Sequence, residues 1–220
     1  MKVKCKNGLC DRIKMIFSYL QKAKENGGVL EVSWPVDQEC NGHFLDVFKP
    51  VENVMFVEDE SNLNFYGFEL CPGYERFSDY RELVPVDTVL NKICDMKEKM
   101  GRYAAVHVRR TDKLDPIKAP WFTNTENEEF FNFIESHNFQ NVFLAADSAD
   151  TQKLFKNRYG DRIFYSSEIE PSNNLRQTSL SHAVLDLFLC IRSTVFFGTA
   201  KSGFTSFIEA NRTPRQIKIL

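Results

Sequence analysis

Two adjacent arginines end an apolar run in Ala104-Ala105-Val106-His107-Val108-Arg109-Arg110-Thr111-Asp112-Lys113. The run reads as a buried strand, and the carboxyl ends of strands are where open α/β sheets bind ligands. Alternation along a strand sends His107 and Arg109 to one side and Arg110 to the other. One guanidinium can then face a phosphate while its neighbour pairs with an acid such as Asp112. The planar fork of arginine matches phosphate oxygens better than a lysine ammonium does. A structural cluster of ion pairs at a strand end has the same pattern, and on residue types alone the two readings stand level.

Other segments hold groups of the same kind. Gly198-Thr199-Ala200-Lys201-Ser202-Gly203-Phe204-Thr205 is a small-residue turn that opens a helix, so free N–H groups and the helix dipole favour an anion there, with ordinary capping as the plainer role. Asp186 lies within Val184-Leu185-Asp186-Leu187-Phe188-Leu189, where a carboxylate is costly unless donors meet it. Arg192 or a backbone amide could supply them. Gly8-Leu9-Cys10-Asp11-Arg12 joins a strand to a helix and sets backbone amides beside an acid and an arginine. Asp11 is the candidate general base, with helix capping as its competing role. Asp147 and Asp150 resemble a metal-binding pair, but their place before a helix points to capping. Trp34, His43 and Asp46 could line an acceptor; taken singly, a core tryptophan and a surface histidine are the simpler readings. The sequence has no GxxxxGK[ST] phosphate loop and no nucleophile elbow.

The elements that must position these groups alternate through the second half of the chain. Strands are expected at Tyr103 to Val108, Val142 to Ala146, Arg162 to Tyr165, Val195 to Phe197 and Gln216 to Leu220. Helices are expected behind Thr125 and Glu128, over Thr151 to Tyr159, over Ser181 to Arg192 and from Phe204. That alternation requires a parallel sheet wrapped by helices. The first half opens alike, with a strand near Lys2 to Lys6, a turn at Asn7-Gly8, and a helix carrying Ile13, Ile16, Phe17, Leu20 and Ala23 that Gly27-Gly28 closes. A strand follows at Val29 to Trp34, Pro35 to Tyr80 carries no assignable pattern, and Val86 to Met100 reads as a connecting helix.

A chain of 220 residues, 43% hydrophobic and 26% charged, can bury one or two compact cores. Its formal net charge of -2 removes the electrostatic case for a nucleic-acid partner. No apolar run follows the charges of Met1 to Lys6, and no stretch approaches the roughly 20 apolar residues of a membrane span, so the chain is expected to stay soluble in the cytoplasm. Cys5, Cys10, Cys40, Cys71, Cys94 and Cys190 lack metal-ligand spacing and read as reduced thiols filling a core.

In order along the chain, Gly8-Leu9-Cys10-Asp11-Arg12-Ile13, His107 to Lys113, Phe143-Leu144-Ala145-Ala146-Asp147 and Asp186 to Phe204 resemble the motifs of the α1,2/α1,6/protein-O-fucosyltransferase superfamily. The resemblance implies an α/β, GT-B-like fold of two Rossmann-like halves with a reduced N-terminal domain: 1–95 on the acceptor side, 96–220 on the nucleotide-sugar side. It implies an inverting transfer of a sugar from a GDP-sugar, GDP-L-fucose foremost, to a hydroxyl of a glycan or protein. Carried over by position, Arg109 holds the β-phosphate, the His107 backbone and the Asp186 carboxylate contact guanine, and Ser202 contacts phosphate. Gly8, Arg12, Arg110, Asp112, Gly203 and Thr205 complete the expected donor site, at the cleft between domains, and Arg109 with Asp11 forms the expected catalytic pair. No metal or other cofactor is expected, because fixed cations and N–H donors can stabilise the departing diphosphate. Alternatives are a nucleotide-sugar-binding module without turnover, which would release no GDP, and a phosphate-handling hydrolase, which would cleave simple phosphate esters.

Overall fold

The computed structural model describes residues 1–76, 79–111, 125–170 and 177–212. The chain forms two compact units, Met1–Val86 and Asp87–Arg212. The division falls ahead of the helix at Asp87–Met100, which the expected boundary at 95/96 would have cut.

The first unit carries β1 (Lys2–Cys5), α1 (Leu9–Glu25), β2 (Leu30–Ser33), β3 (Val54–Phe56) and β4 (Phe65–Gly67) in one sheet of order β3-β2-β1-β4. All three pairings are parallel, with Val3 opposite both Val32 and Phe65. The apolar stripe of α1 is buried through Ile13, Ile16, Phe17, Leu20 and Ala23. Its end is set by Gly27, whose φ of 65° lies in the left-handed region, and by the Gly28 N–H, which donates to the Ala23 carbonyl at 2.9 Å. β3 and β4 fill part of the segment that carried no pattern, together with a single 3₁₀ turn at Phe44–Asp46.

The second unit carries α2 (Asp87–Met100), β5 (Tyr103–Val108), α3 (Asn127–His137), β6 (Asn141–Ala146), α4 (Ala149–Tyr159), β7 (Ile163–Phe164), α5 (Leu180–Arg192), β8 (Val195–Gly198) and α6 (Gly203–Asn211). Its sheet has the order β7-β6-β5-β8, again parallel, with Ala105 opposite Phe143 and Phe196. Every residue of β5 is buried, as a parallel strand covered on both faces should be. Ala104, Val106 and Val108 pack with Val142, Leu144 and Ala146 against Phe130, Phe131 and Ile134 of α3 and Phe155 of α4. On the other face the Tyr103 hydroxyl donates to the Leu189 carbonyl of α5 at 2.8 Å, and α2 packs on α5. Within the described residues, each element assigned from the sequence is therefore present to within a few residues. The strand expected at Gln216 to Leu220 lies outside the described residues. Five cysteines are buried and Cys94 is exposed. Among the described residues no helix is long and apolar enough to cross a membrane.

Candidate functional site

In the second sheet β5 leads to β6 on one side, whereas β8 returns to the other side of β5, so the chains leaving β5 and β8 diverge. The carboxyl ends of such a strand pair form the crevice where open α/β sheets take ligands. Here the two ends are tied together. Thr199, fully buried, donates its N–H to the His107 carbonyl at 2.9 Å and its hydroxyl to the same oxygen at 3.0 Å, while its Oγ1 accepts the Arg109 N–H at 2.9 Å. Thr125 makes a second tie: its Oγ1 accepts the Ala200 N–H at 2.8 Å and its carbonyl accepts Nη2–H of Arg110 at 2.9 Å. Asp147, at the end of β6, makes the third, accepting the Arg110 N–H at 2.8 Å, the Thr111 N–H at 3.2 Å and the Thr111 hydroxyl at 2.8 Å.

α6 is brought against this corner by the absence of a side chain at Gly198. A Cβ there would stand 2.5 Å from Cγ2 and 2.6 Å from Oγ1 of Thr205. Thr205 Oγ1 lies 2.8 Å from Nδ1 of His107, and the Phe204 ring lies over the imidazole at 4.8 Å between centroids. Burial, with the Arg109 charge as a second cause, pushes the His107 pKa down to about 3, so the ring is neutral at physiological pH. Ser202 is the N-cap residue of α6, yet its hydroxyl caps nothing, and its Oγ is buried without a partner. The first N–H groups of a helix have no carbonyl within the helix to meet. A buried hydroxyl and the open N–H groups of Gly203 to Thr205 thus stand together at the positive end of a helix dipole, an arrangement suited to an oxyanion.

Asp186 lies on α5, 7% exposed, and its Oδ1 has no partner. Burial pushes its pKa up to about 8, and the Ser166 hydroxyl, just past β7, pulls it back only in part. Neither partner weighed for it from sequence is engaged: Oδ1 is unmet, and the Arg192 Nε is itself without an acceptor.

Arg109 and Arg110 separate as strand alternation requires. Arg109 is half-buried at the β5–β8 corner. Arg110 is 8% exposed and turns to the α3 side, donating to the Thr125 carbonyl, to Oδ1 of Asn127 at 2.8 Å and to the Arg109 carbonyl at 3.3 Å, over the Phe130 ring. Its guanidinium holds the loop. Of the His107 backbone, expected at a nucleobase, the carbonyl already accepts twice from Thr199. Asp147 and Asp150 do not cap α4. Ser148 does, accepting the Thr151 N–H at 3.2 Å, because Asp147 is drawn to the β5 loop and Asp150 falls in the first turn. Asp112 and Lys113 lie outside the described residues.

In the first unit Arg12 is fully buried. Its Nε donates to the Asn7 carbonyl at 2.6 Å, Nη1 to the Pro35 carbonyl at 2.5 Å and Nη2 to Asp37 at 2.7 Å, with the Trp34 ring beneath. This corrects the donor-binding expectation, since a side chain so enclosed reaches no ligand. Gly8 is the N-cap of α1, and Asp11, in the first turn, pairs with Lys14 at 2.9 Å and caps nothing. Trp34 is core, donating to the Gly42 carbonyl at 2.9 Å, and the exposed His43 with Asp46 closes the 3₁₀ turn.

The roles of Thr199 and Thr125 went unread in the sequence. Nothing local marks a hydroxyl whose partners lie 75 to 92 residues away. Among the described residues no group of three His, Cys, Asp or Glu side chains is placed to hold a metal ion.

No family model and no curated protein matches the sequence. Solved structures do match the fold. The α-1,6-fucosyltransferase NodZ co-crystallised with GDP superposes with a TM-score of 0.63 at 15% identity over 94% of this chain and 91% of that one. NodZ from Bradyrhizobium gives 0.62 at 15% over 94% and 92%. POFUT1 in complex with GDP gives 0.58 at 13% over 98% and 96%. At such identities the likeness speaks for the fold alone, and the chain has the two-sheet α/β fold of the GT-B fucosyltransferase structures.

Proposed function

We propose that the chain is a glycosyltransferase, an inverting fucosyltransferase-like enzyme that moves a sugar from a GDP-sugar, GDP-L-fucose foremost, to a hydroxyl of a glycan or protein acceptor. The observation that carries this reading is the β5–β8 corner, where the orphan hydroxyl of Ser202 and the N–H groups opening α6 are fixed by Thr199 to the strand bearing Arg109. A diphosphate leaving group needs preorganised donors and a cation rather than a new covalent partner. Arg109 and the start of α6 supply them, so the reading calls for no metal ion. Asp186 supports guanine as the base: a buried carboxylate with Oδ1 unmet suits the parallel N1–H and 2-amino donors of guanine, whereas uracil offers one N–H between two carbonyls. The acceptor hydroxyl needs a base, and the partly exposed carboxylate of Asp11 is the candidate.

Transfer or hydrolysis of GDP-fucose, read as free GDP, tests turnover, and a binding module would release none. Arg109→Lys keeps the charge but loses the fork, and should lower turnover about 10- to 1,000-fold in a folded protein. By calorimetry GDP should bind more tightly than UDP, and Asp186→Ala should weaken GDP by about 10- to 150-fold, the loss of one charge-assisted pair. Equal affinity for GDP and UDP would overturn the guanine assignment.

A further inference from the structure

Asp186 sits in the second turn of α5 between Leu185 and Leu187, in a place that offers a charge almost nothing. From β5, the face it packs toward presents His107, which is neutral, and Tyr103, whose hydroxyl is spent on Leu189. β6 carries no titratable side chain, and Glu209 of α6 is exposed. On α2, Lys92 acts on His182 of α5 instead. Cys190, one turn further along α5, is a buried thiol, and the Arg212 guanidinium beyond it is bound to the carbonyls of Cys190, Ser193 and Thr194. Among the described residues the Ser166 hydroxyl is the one group that acts on the carboxyl, and Oδ1 has no hydrogen-bond partner. An isolated carboxylate buried this way avoids the cost of desolvation by keeping its proton.

We infer that base recognition in this protein is coupled to proton release: the empty protein holds Asp186 as the neutral acid, and a purine edge with two N–H donors binds only as that proton leaves to solvent. The inference rests on the assignment of Asp186 to the base. The chemistry is a matter of matching. A neutral carboxyl presents one O–H donor and one acceptor oxygen, and the O–H would face an N–H of guanine, donor against donor. Loss of the proton turns both oxygens into acceptors, and the two N–H groups then supply the solvation that the apolar surroundings withhold. The protonated form instead suits an edge with one donor and one acceptor, as uracil has. Preference for guanine is therefore a property of the deprotonated protein, and acid should erode it. That places the midpoint of the loss near the value of about 8 to which burial raises this carboxyl.

The test is calorimetry of GDP and UDP at pH 6, 7 and 8, in buffers of low and high ionisation enthalpy. UDP carries the same diphosphate, so the GDP-to-UDP affinity ratio cancels phosphate protonation. The ratio should rise about tenfold per pH unit below the carboxyl's pKa, by about 50-fold between pH 6 and pH 8 if UDP binds both forms alike and about 100-fold if it takes only the protonated one. GDP binding to wild type at pH 7 should release close to one proton more than UDP binding does. Asp186→Asn mimics the neutral acid and, once a cooperative melt shows it folded, should show a low, pH-independent ratio and no extra proton. A ratio that does not change with pH, with equal proton release for both nucleotides, would overturn the coupling while leaving Asp186 at the base if Asp186→Asn still weakens GDP. If wild type shows no preference for GDP at any pH and the variant behaves alike, the base assignment fails and the coupling falls with it. The buffer comparison on wild type decides the matter even if the variant does not fold.

Discussion

Replacing Arg12 by methionine separates a structural arginine from a ligand-binding one. The methionine keeps most of the apolar stem and removes the donors that reach the Asn7 carbonyl, the Pro35 carbonyl and Asp37 at 2.6, 2.5 and 2.7 Å. Two part-buried carbonyls left unmet cost about 1–3 kcal/mol each. Asp37 is 40% exposed and rehydrates, so its ion pair adds only about 0–1 kcal/mol. The stacking of the guanidinium on Trp34 at 5.0 Å is worth about 0.5–2 kcal/mol. Relief from burying the guanidinium offsets part of this. The net loss should be about 2–5 kcal/mol, a large share of the stability of a unit this small. At about 4–8 °C per kcal/mol for a domain under 100 residues, the first unit should melt roughly 10–30 °C lower. Urea unfolding followed through Trp34, in a background with Trp121 replaced by phenylalanine, reports on that unit directly. An unchanged midpoint together with a loss of nucleotide affinity would refute the reasoning and return Arg12 to the donor site.

Asp186 and His107 should act on stability in opposite directions. A carboxyl raised from about 4 to about 8 favours the fold below pH 4 and loses that contribution as pH rises to 8, whereas an imidazole lowered from about 6.5 to about 3 favours it above pH 6.5 and loses that contribution as pH falls to 3. At about 1.4 kcal/mol per pH unit each, they cancel between pH 4 and 6.5, and from there to pH 8 Asp186 alone should lower stability by about 2 kcal/mol relative to Asp186→Asn. Urea titrations in which both proteins keep the same spacing across pH 6.5 to 8 would remove the carboxyl from this role. Turnover should survive EDTA, because Arg109 and the N–H groups opening α6 take the place of a cation; complete loss restored by added metal would reopen Asp147 and Asp150 as ligands.

Long, uniform elements were legible in the sequence, and short or tertiary ones were not. β5 and β6 are six-residue apolar runs, and α1 repeats its apolar stripe over 17 residues, so their patterns rise above local noise. β3 and β4 are three residues each, with an exposed residue at the centre, too short to show a period. The end of the sequence lies outside the described residues, so its expected strand stands as an expectation. At the site, residue type marked out Arg109, Ser202 and Asp186. It could not settle the roles of Arg12, Arg110 and Asp147, because burial decides them. Arg12 and Arg110 are enclosed by loops remote in sequence, and Asp147 spends its oxygens on N–H groups 36 and 37 residues away rather than on the helix it precedes.

The two buried arginines answer the same problem in each unit. β1 and β5 are inner strands whose late neighbours, β4 and β8, send the chain away on the far side, so the backbone leaving β1 or β5 soon runs out of ladder partners. Its carbonyls must still be met. A guanidinium has five N–H donors in a fixed fork and can meet several at once. Arg12 does so over Trp34 for Asn7 and Pro35, and Arg110 does so over Phe130 for Arg109 and Thr125. Each brings an aromatic face to a cation that would otherwise be buried among apolar atoms. The second unit differs in having another arginine one residue earlier, which alternation turns to the opposite side of the strand. Arg110 can stiffen the loop there while its half-buried neighbour Arg109 stays beside the start of α6. In the proposed transferase the same dipeptide thus supplies both the fixed loop and the cation that the loop holds in place, and the two functions are separated by a single step of the strand.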